Sequence, residues 1–152
     1  MNKILQSSFV IFVFIAFDCD LNKDTSNIIM SNYGSMDSHN VGEDCMQCHK
    51  SDGEAGLEFS IAGSVYDSSL NRPYPNVLIT LLSDIDINDI PEEVIEVDGK
   101  GNFYSNMPIN WQNGLLASVS NNNQIRNMIG INSDGSCNSC HNGIDLPHIN
   151  IE

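Results

Sequence analysis

The runs Gly63-Ser64-Val65-Tyr66-Asp67 and Pro75-Asn76-Val77-Leu78-Ile79-Thr80-Leu81 determine the fold class that we predict for this chain. Every second residue of the second run is apolar, which is the pattern of a strand with one buried face. The turn signal Asn71-Arg72-Pro73 separates the two runs. We therefore predict two short strands joined by a turn.

The same alternation continues outward along the chain. The positions on one phase are Phe59, Ile61, Gly63 and Val65, and further on Leu115, Ala117 and Val119. Turn signals at 98–101 and 121–123 follow at the spacing of short strands, and long helical periodicity is absent after the N-terminus. The length of 152 residues suits one domain. We predict an all-β fold, a small β-sandwich.

With the third run Asp98-Gly99-Lys100-Gly101-Asn102-Phe103 included, these strands and turns resemble the carboxypeptidase regulatory-like module, which is a transthyretin-like β-sandwich. The resemblance covers residues 58–132. Its motifs mostly encode strand, turn and strand. It implies a scaffold or interaction domain from which no catalytic residue is carried over.

Two complete CxxCH motifs flank this module, and they resemble the attachment motifs of c-type cytochromes. They are Cys45-Met46-Gln47-Cys48-His49 and Cys137-Asn138-Ser139-Cys140-His141. Two thiols at this spacing can reach the two vinyl groups of one haem, and the adjacent histidine can then bind the iron. We expect two covalent haem c groups, tethered by Cys45, Cys48, Cys137 and Cys140, with His49 and His141 as proximal ligands.

The two other histidines of the chain, His39 and His148, each lie close in sequence to one motif. Four histidines equal the axial ligands that two haems need, so we expect His39 and His148 to be distal ligands. The alternatives are that both are exposed loop histidines, or that a methionine is the sixth ligand. The methionines to consider are Met36, Met46, Met107 and Met128, of which the last two are typical of strand or core filler.

Other metal sites fit the spacing less well. A zinc site of four cysteines usually has its two CxxC pairs about 15 to 20 residues apart, whereas here the whole β-module separates them. Thioredoxin-like chemistry requires a βαβ pattern that neither pair has. Asp84, Asp86 and Asn88 alternate as in a calcium loop, but the required glycine and final glutamate are missing, so we interpret them as an acidic strand end or loop.

The N-terminus is typical of a secretory signal. Lys3 precedes an apolar run from Phe9 to Phe17 that is too short to span a membrane, so we predict a signal peptide over residues 1–18. Cys19 stands where a bacterial lipoprotein carries its lipid and would account for the odd cysteine count of five. The alternative is a cysteine discarded with the signal. A polar flexible tether is predicted over residues 19–38.

The net charge of −14 limits the partners of the chain. Its six basic residues are scattered, so nucleic acid and anionic membranes would be repelled, and membrane attachment would come only through a lipid on Cys19. A redox partner protein with a basic docking face is compatible with this surface. The plainer interpretation is that the acidic surface keeps the protein soluble.

We therefore predict an exported di-haem c-type cytochrome that transfers electrons in the periplasm or on the outer surface of a bacterium. Its segments would be a first haem-binding segment at 39–57, the sandwich at 58–132 and a second haem-binding segment at 133–152. An interaction or adhesion module with haem or zinc as a structural staple is one alternative, and a small haem peroxidase or reductase is another. We expect the haems to lie close together in one molecule, with self-assembly as the alternative route for conduction.

Overall fold

A computed structural model describes residues 27–83 and 90–152. The predicted signal peptide, Cys19, the beginning of the tether and the acidic stretch 84–89 lie outside the described residues. The described chain forms seven strands and one short helix. They are β1 (Ile61–Asp67), β2 (Leu78–Leu82), β3 (Glu93–Glu96), β4 (Asn102–Ser105), β5 (Leu116–Ser120), β6 (Ile125–Asn127), α1 (Cys137–Cys140) and β7 (Ile149–Ile151).

Two sheets pack face to face, which confirms the prediction of an all-β sandwich. One has the strand order β4-β1-β7 and the other has the order β3-β2-β5-β6. Neighbouring strands are antiparallel, except that β1 and β7 are parallel. Because β1 and β7 lie far apart in the sequence, this pairing brings the C-terminal end of the chain back beside β1.

The predicted strand phases are confirmed in the core. Buried apolar side chains from both sheets meet between them, namely Ile61, Val65, Val77, Ile79, Leu81, Ile95, Val97, Phe103, Leu115, Val119 and Ile151. Burying such side chains is the main stabilising contribution in a domain of this kind, at roughly 25 cal/mol for each Å² of apolar surface removed from water. The three predicted turns also lie between strands.

Strand β1 is buried on both sides, which the alternating pattern did not predict. Ala62 and Ser64 point away from the apolar phase and are still buried. The 3-10 turn Cys45–Gln47 and helix α1, which carry the two CxxCH motifs, both lie against β1. The motif segments therefore cover the side of this strand that would otherwise face water.

The structure also differs from the sequence prediction at the N-terminal side of the module. Residues 27–36 belong to the predicted flexible tether, yet Met30 forms a bridge with Ser105 at the end of β4. Ser31 N–H donates to the carbonyl of Tyr104 (2.9 Å), and the Ser31 side chain is buried. These backbone hydrogen bonds hold this part of the predicted tether along the exposed edge of the smaller sheet.

Among residues 27–83 and 90–152, no helix is long and apolar enough to traverse a bilayer.

Candidate functional site

The first CxxCH motif is folded into a single tight turn. The Asp44 carboxylate accepts a hydrogen bond from Met46 N–H (3.2 Å), and His49 N–H donates to the carbonyl of Cys45 (3.0 Å). Residues three and four apart lie on the same side of a helical turn, so Cys45, Cys48 and His49 face a common region. The turn is short because Gly53 and the backbone of Lys50 reverse the chain directly after it.

The second motif forms α1, and a backbone hydrogen bond closes its turn as in the first motif. His141 N–H donates to the carbonyl of Cys137 (2.9 Å). Cys137 is buried against Gly63 of β1, whereas Cys140 is exposed. A Cβ atom on Gly63 would lie 2.9 Å from the Cβ of Cys137 and closer still to the ring of Phe103. Only glycine allows α1 to approach β1 this closely.

Backbone carbonyls hold three of the four histidine rings. The Nδ1 atom of His49 lies 3.0 Å from the carbonyl oxygen of Leu57, and that of His141 lies 2.7 Å from the carbonyl of Pro147. The Nδ1 atom of His148 lies 3.0 Å from the carbonyl of His141. A carbonyl accepts the Nδ1 proton, so the Nε2 atom of each ring is left as a metal ligand.

A cavity of about 540 Å³ joins the first motif to His39. Cys45, Cys48 and His49 line it, and the ring centres of His39 and His49 are 5.9 Å apart. Each imidazole nitrogen lies about 2 Å from a bound metal ion and its ring centre about 1 Å further away, so two axial imidazoles on one iron have centres about 6 Å apart. The distance between the ring centres of His39 and His49 is close to this value.

A second cavity of about 530 Å³ joins the other motif to His148. Cys137, Cys140 and His141 line it together with His148, whose ring stacks on Tyr66 at 4.5 Å. Its wall includes the exposed apolar side chains Ile129, Ile131 and Leu146. An apolar macrocycle would cover this surface. Met128 also lines this cavity, so the methionine alternative stays open at the second site.

The two sites lie directly beside one another. The hydroxyl of Ser136, which precedes Cys137, donates to the carboxylate of Asp44, which precedes Cys45 (2.9 Å). The side-chain amide of Asn138 donates to the carbonyl of Glu43 (2.8 Å). Residues more than ninety positions apart are thus in contact, and the structure brings together the two motifs as expected for a close arrangement of the haems.

Burial raises the pKa of two of the thiols. It raises the pKa of Cys137 to about 12, with smaller contributions from the charges of Asp134 and Cys45. Burial also raises the pKa of Cys45. A thiolate, not a thiol, is the nucleophile in disulfide exchange and the ligand of zinc. The folded chain therefore lacks the low thiol pKa that thioredoxin-like chemistry uses at these two positions.

Each cavity contains the kinds of donor that a covalently bound haem would use. Within the two described ranges, no three His, Cys, Asp or Glu side chains are grouped so that they could hold a metal ion. A haem iron needs only one or two protein ligands because the macrocycle supplies the others. The residues present fit such a group, since each cavity offers two thiols, a histidine with a free Nε2 and a further histidine.

Several residues that organise these sites were not predicted from the sequence. Asn138 is a spacer position of the second motif, Ser64 and Asn102 are buried polar residues of β1 and β4, and Arg126 lines the second cavity. One feature of the sequence could have identified two of them, because Ser64 and Asn102 are polar residues in the predicted strand segments. Their partners come from distant segments, so their roles appear only in the folded chain.

Comparison with protein-family models, with curated proteins and with solved structures finds no match to this chain.

Proposed function

We propose that this chain is an exported di-haem c-type cytochrome that transfers electrons at the cell envelope or cell surface of a bacterium. The observation that carries the proposal is the composition of the two cavities. Each combines the two thiols and the histidine of one CxxCH motif with one histidine from outside that motif. This is the complete protein contribution to a covalently bound, six-coordinate haem.

The residues of the chain have separate roles in this proposal. The thiols of Cys45, Cys48, Cys137 and Cys140 would hold the haem, and the Nε2 atoms of His49 and His141 would bind its iron. His39 and His148 would supply the second protein ligand of each iron, so that neither iron would keep a position for a substrate. The haem, when bound, supplies the one-electron iron couple. The protein fixes its axial ligands, limits its exposure to water and sets the surrounding charge.

The partner in this proposal is a redox protein with a basic docking face. The chain carries twenty acidic and six basic residues, so a partner with an acidic face would be repelled. We assign no catalytic residue, because four histidine ligands would occupy both axial positions of both irons. Lipid attachment through Cys19 and export are parts of the proposal that depend on the N-terminal sequence alone.

The first prediction concerns the number of haems. The chain produced with a c-type haem attachment system should carry two covalent haems, because both motifs are complete. Intact mass and a pyridine haemochrome assay measure this number directly. The double variant Cys137→Ala/Cys140→Ala should retain one haem, and so should Cys45→Ala/Cys48→Ala. A chain that contains zinc, or no haem at all, would refute the proposed function.

A further inference from the structure

Ser64 is the centre of a buried polar network in β1. Its hydroxyl donates to the side-chain oxygen of Asn102 (2.6 Å) and accepts hydrogen bonds from Gly42 N–H (2.9 Å) and from the side-chain amide of Asn138 (3.1 Å). Ser64, Asn102 and Asn138 are each at most 2% exposed. We refer to these three side chains as the Ser64 network.

The Ser64 network reaches the second motif at one end. Asn138 is the residue between Cys137 and Ser139, and its side-chain oxygen accepts a hydrogen bond from Ser64 N–H (3.1 Å). Its amide donates to the carbonyl of Glu43 (2.8 Å), two residues before Cys45. The attachment chemistry requires only the two cysteines and the histidine of the motif. Haem attachment therefore does not explain why a buried asparagine occupies this spacer position.

At its other end the network holds the segment that carries His39. The side-chain amide of Asn102 donates to the carbonyl of His39 (3.0 Å) and to the hydroxyl of Ser38 (3.0 Å). Gly42 N–H is bound to Ser64 in the same segment. The backbone on both sides of the His39 side chain is therefore fixed by side chains from β1 and β4, whereas His39 itself belongs to neither strand.

These hydrogen bonds are costly to lose because they are buried. Removing one partner leaves a donor or acceptor of the network without water or a protein group to replace it. The least costly response is for the exposed segment 38–43 to move away from β1 and expose its backbone to water. The His39 ring would move with it, away from His49.

We propose that the Ser64 network couples the two haem sites: through Asn138, the second motif positions the His39 segment and so holds the sixth ligand on the first iron. Asn138, Ser64 and Asn102 are positioning residues in this inference and bind no haem themselves. The inference depends on the proposed function, since it concerns the ligands of the first iron. It adds a link that the two motifs, which are independent in sequence, do not imply.

The test measures carbon monoxide binding to the ferrous two-haem protein. The unchanged protein should resist carbon monoxide at both irons, and Asn138→Ala should raise the carbon monoxide-bound fraction of one haem about tenfold, which corresponds to losing about 1.4 kcal/mol of ligation free energy. The change should be absent in the Cys45→Ala/Cys48→Ala background, where the remaining haem is on the second motif. This background assigns the signal to the first iron.

Two further variants make the test independent of a single substitution. Ser64→Ala removes the central hydroxyl and should have the same effect, so it carries the test if Asn138→Ala does not fold. Asn71→Ala and Ser69→Ala are matched controls, because the hydrogen bonds of both residues within the described chain are with each other and with Asp67 at the exposed end of β1. Both controls should resist carbon monoxide like the unchanged protein.

Three results would overturn the inference. The first is a first haem that resists carbon monoxide in both Asn138→Ala and Ser64→Ala. The second is binding confined to the second haem, which would mean that Asn138 supports only its own motif. The third is ready binding to the first haem of the unchanged protein, which would exclude His39 as its ligand. A chain without haem would instead refute the proposed function, and the haem count distinguishes that failure from the other three.

Discussion

His39 occupies its position because of contacts made by its backbone and its neighbours. Asn102 binds the His39 carbonyl, and the Lys100 ammonium donates to the carbonyl of Ser38 (2.5 Å). The ring of His49 lies near that of His39 and stacks on the ring of Phe59, with 4.3 Å between the centres of the His49 and Phe59 rings. The backbone at His39 and the ring of His49 are thus held before any iron binds, which would reduce the entropy lost on ligation.

The four proposed histidine ligands predict the spin state and the carbon monoxide binding of both irons. Both irons should be low-spin and should resist carbon monoxide, since two histidines fill the axial positions of each haem. His39→Ala should allow carbon monoxide to bind one haem of two, and His148→Ala should open the other. Visible spectra of the ferrous protein, before and after addition of carbon monoxide, provide the measurement. A thioether-to-iron absorption band in the ferric protein would show instead that a methionine is the ligand.

Helix α1 is stabilised by its packing on β1. This four-residue helix is too short to be stable by itself. Its stability comes from Cys137, which joins the apolar core, and from Asn138, which hydrogen-bonds to β1. Gly63 permits the close approach, so three positions in two distant segments have to be compatible for the second motif to form its turn.

The buried Cys137 thiol gives a prediction about alkaline pH. Its folded pKa of about 12 lies above the ordinary value of 9.0, so the folded state holds the proton more tightly than the unfolded state. The resulting stabilisation is complete below about pH 9 and is lost as pH rises toward about 12. A shift of this size corresponds to at most about 4 kcal/mol in the free energy of unfolding.

Urea unfolding of the haem-free chain between about pH 8 and about pH 11 measures this loss. Cys137→Ala should reduce the pH dependence, because it removes the thiol whose pKa burial raises to about 12, although it also lowers stability at neutral pH. Ser139→Ala is the matched control and should keep the slope of the unchanged chain, since it changes an exposed side chain of α1 and removes no thiol. Equal slopes in all three proteins would contradict the assignment to Cys137.

The charge around the two cavities differs, and this matters for the molecule as a whole. Asp37, Glu43 and Asp44 line the first cavity, whereas Arg126 and Asp134 line the second. Negative charge stabilises the oxidised form of a haem and lowers its reduction potential, and a nearby cation has the opposite effect. In a di-haem protein the first haem would therefore have the lower potential, and electrons would move from the first site to the second.

The contacts between the two motifs give the prediction at this scale. Haems on adjacent segments should interact, so a redox titration should show two separated waves, and circular dichroism in the Soret region should show an exciton-coupled pair of bands. The two single-haem variants serve as controls, and the lower wave should match the variant that retains the first motif. A spectrum equal to the sum of the two single-haem spectra would mean that the sites are independent.

Much of the fold could be predicted from the sequence because its pattern is local. The alternation at Val77, Ile79 and Leu81 and the turn at 71–73 depend on neighbouring residues, and both are confirmed. Strands β6 and β7 were not predicted, because each has only three residues and shows no clear alternation. Residues 27–36 were assigned to a tether because their composition is polar, but backbone hydrogen bonds along β4 do not depend on composition.

The all-β class, the phases of the main strands and the chemistry of the two CxxCH motifs could be predicted from short stretches of sequence, since strand period and thiol spacing are local properties. The folded chain was needed to show that the motifs are in contact and that His39 and His148 each share a cavity with one of them. The hydrogen bond between Asn138 and Ser64 is likewise visible only in the folded chain. These relations depend on the parallel pairing of β1 with β7 and on the packing of the two motif segments against β1. Such pairings join residues more than seventy positions apart, and their geometry is set by packing across the whole sandwich, which no short stretch of sequence contains.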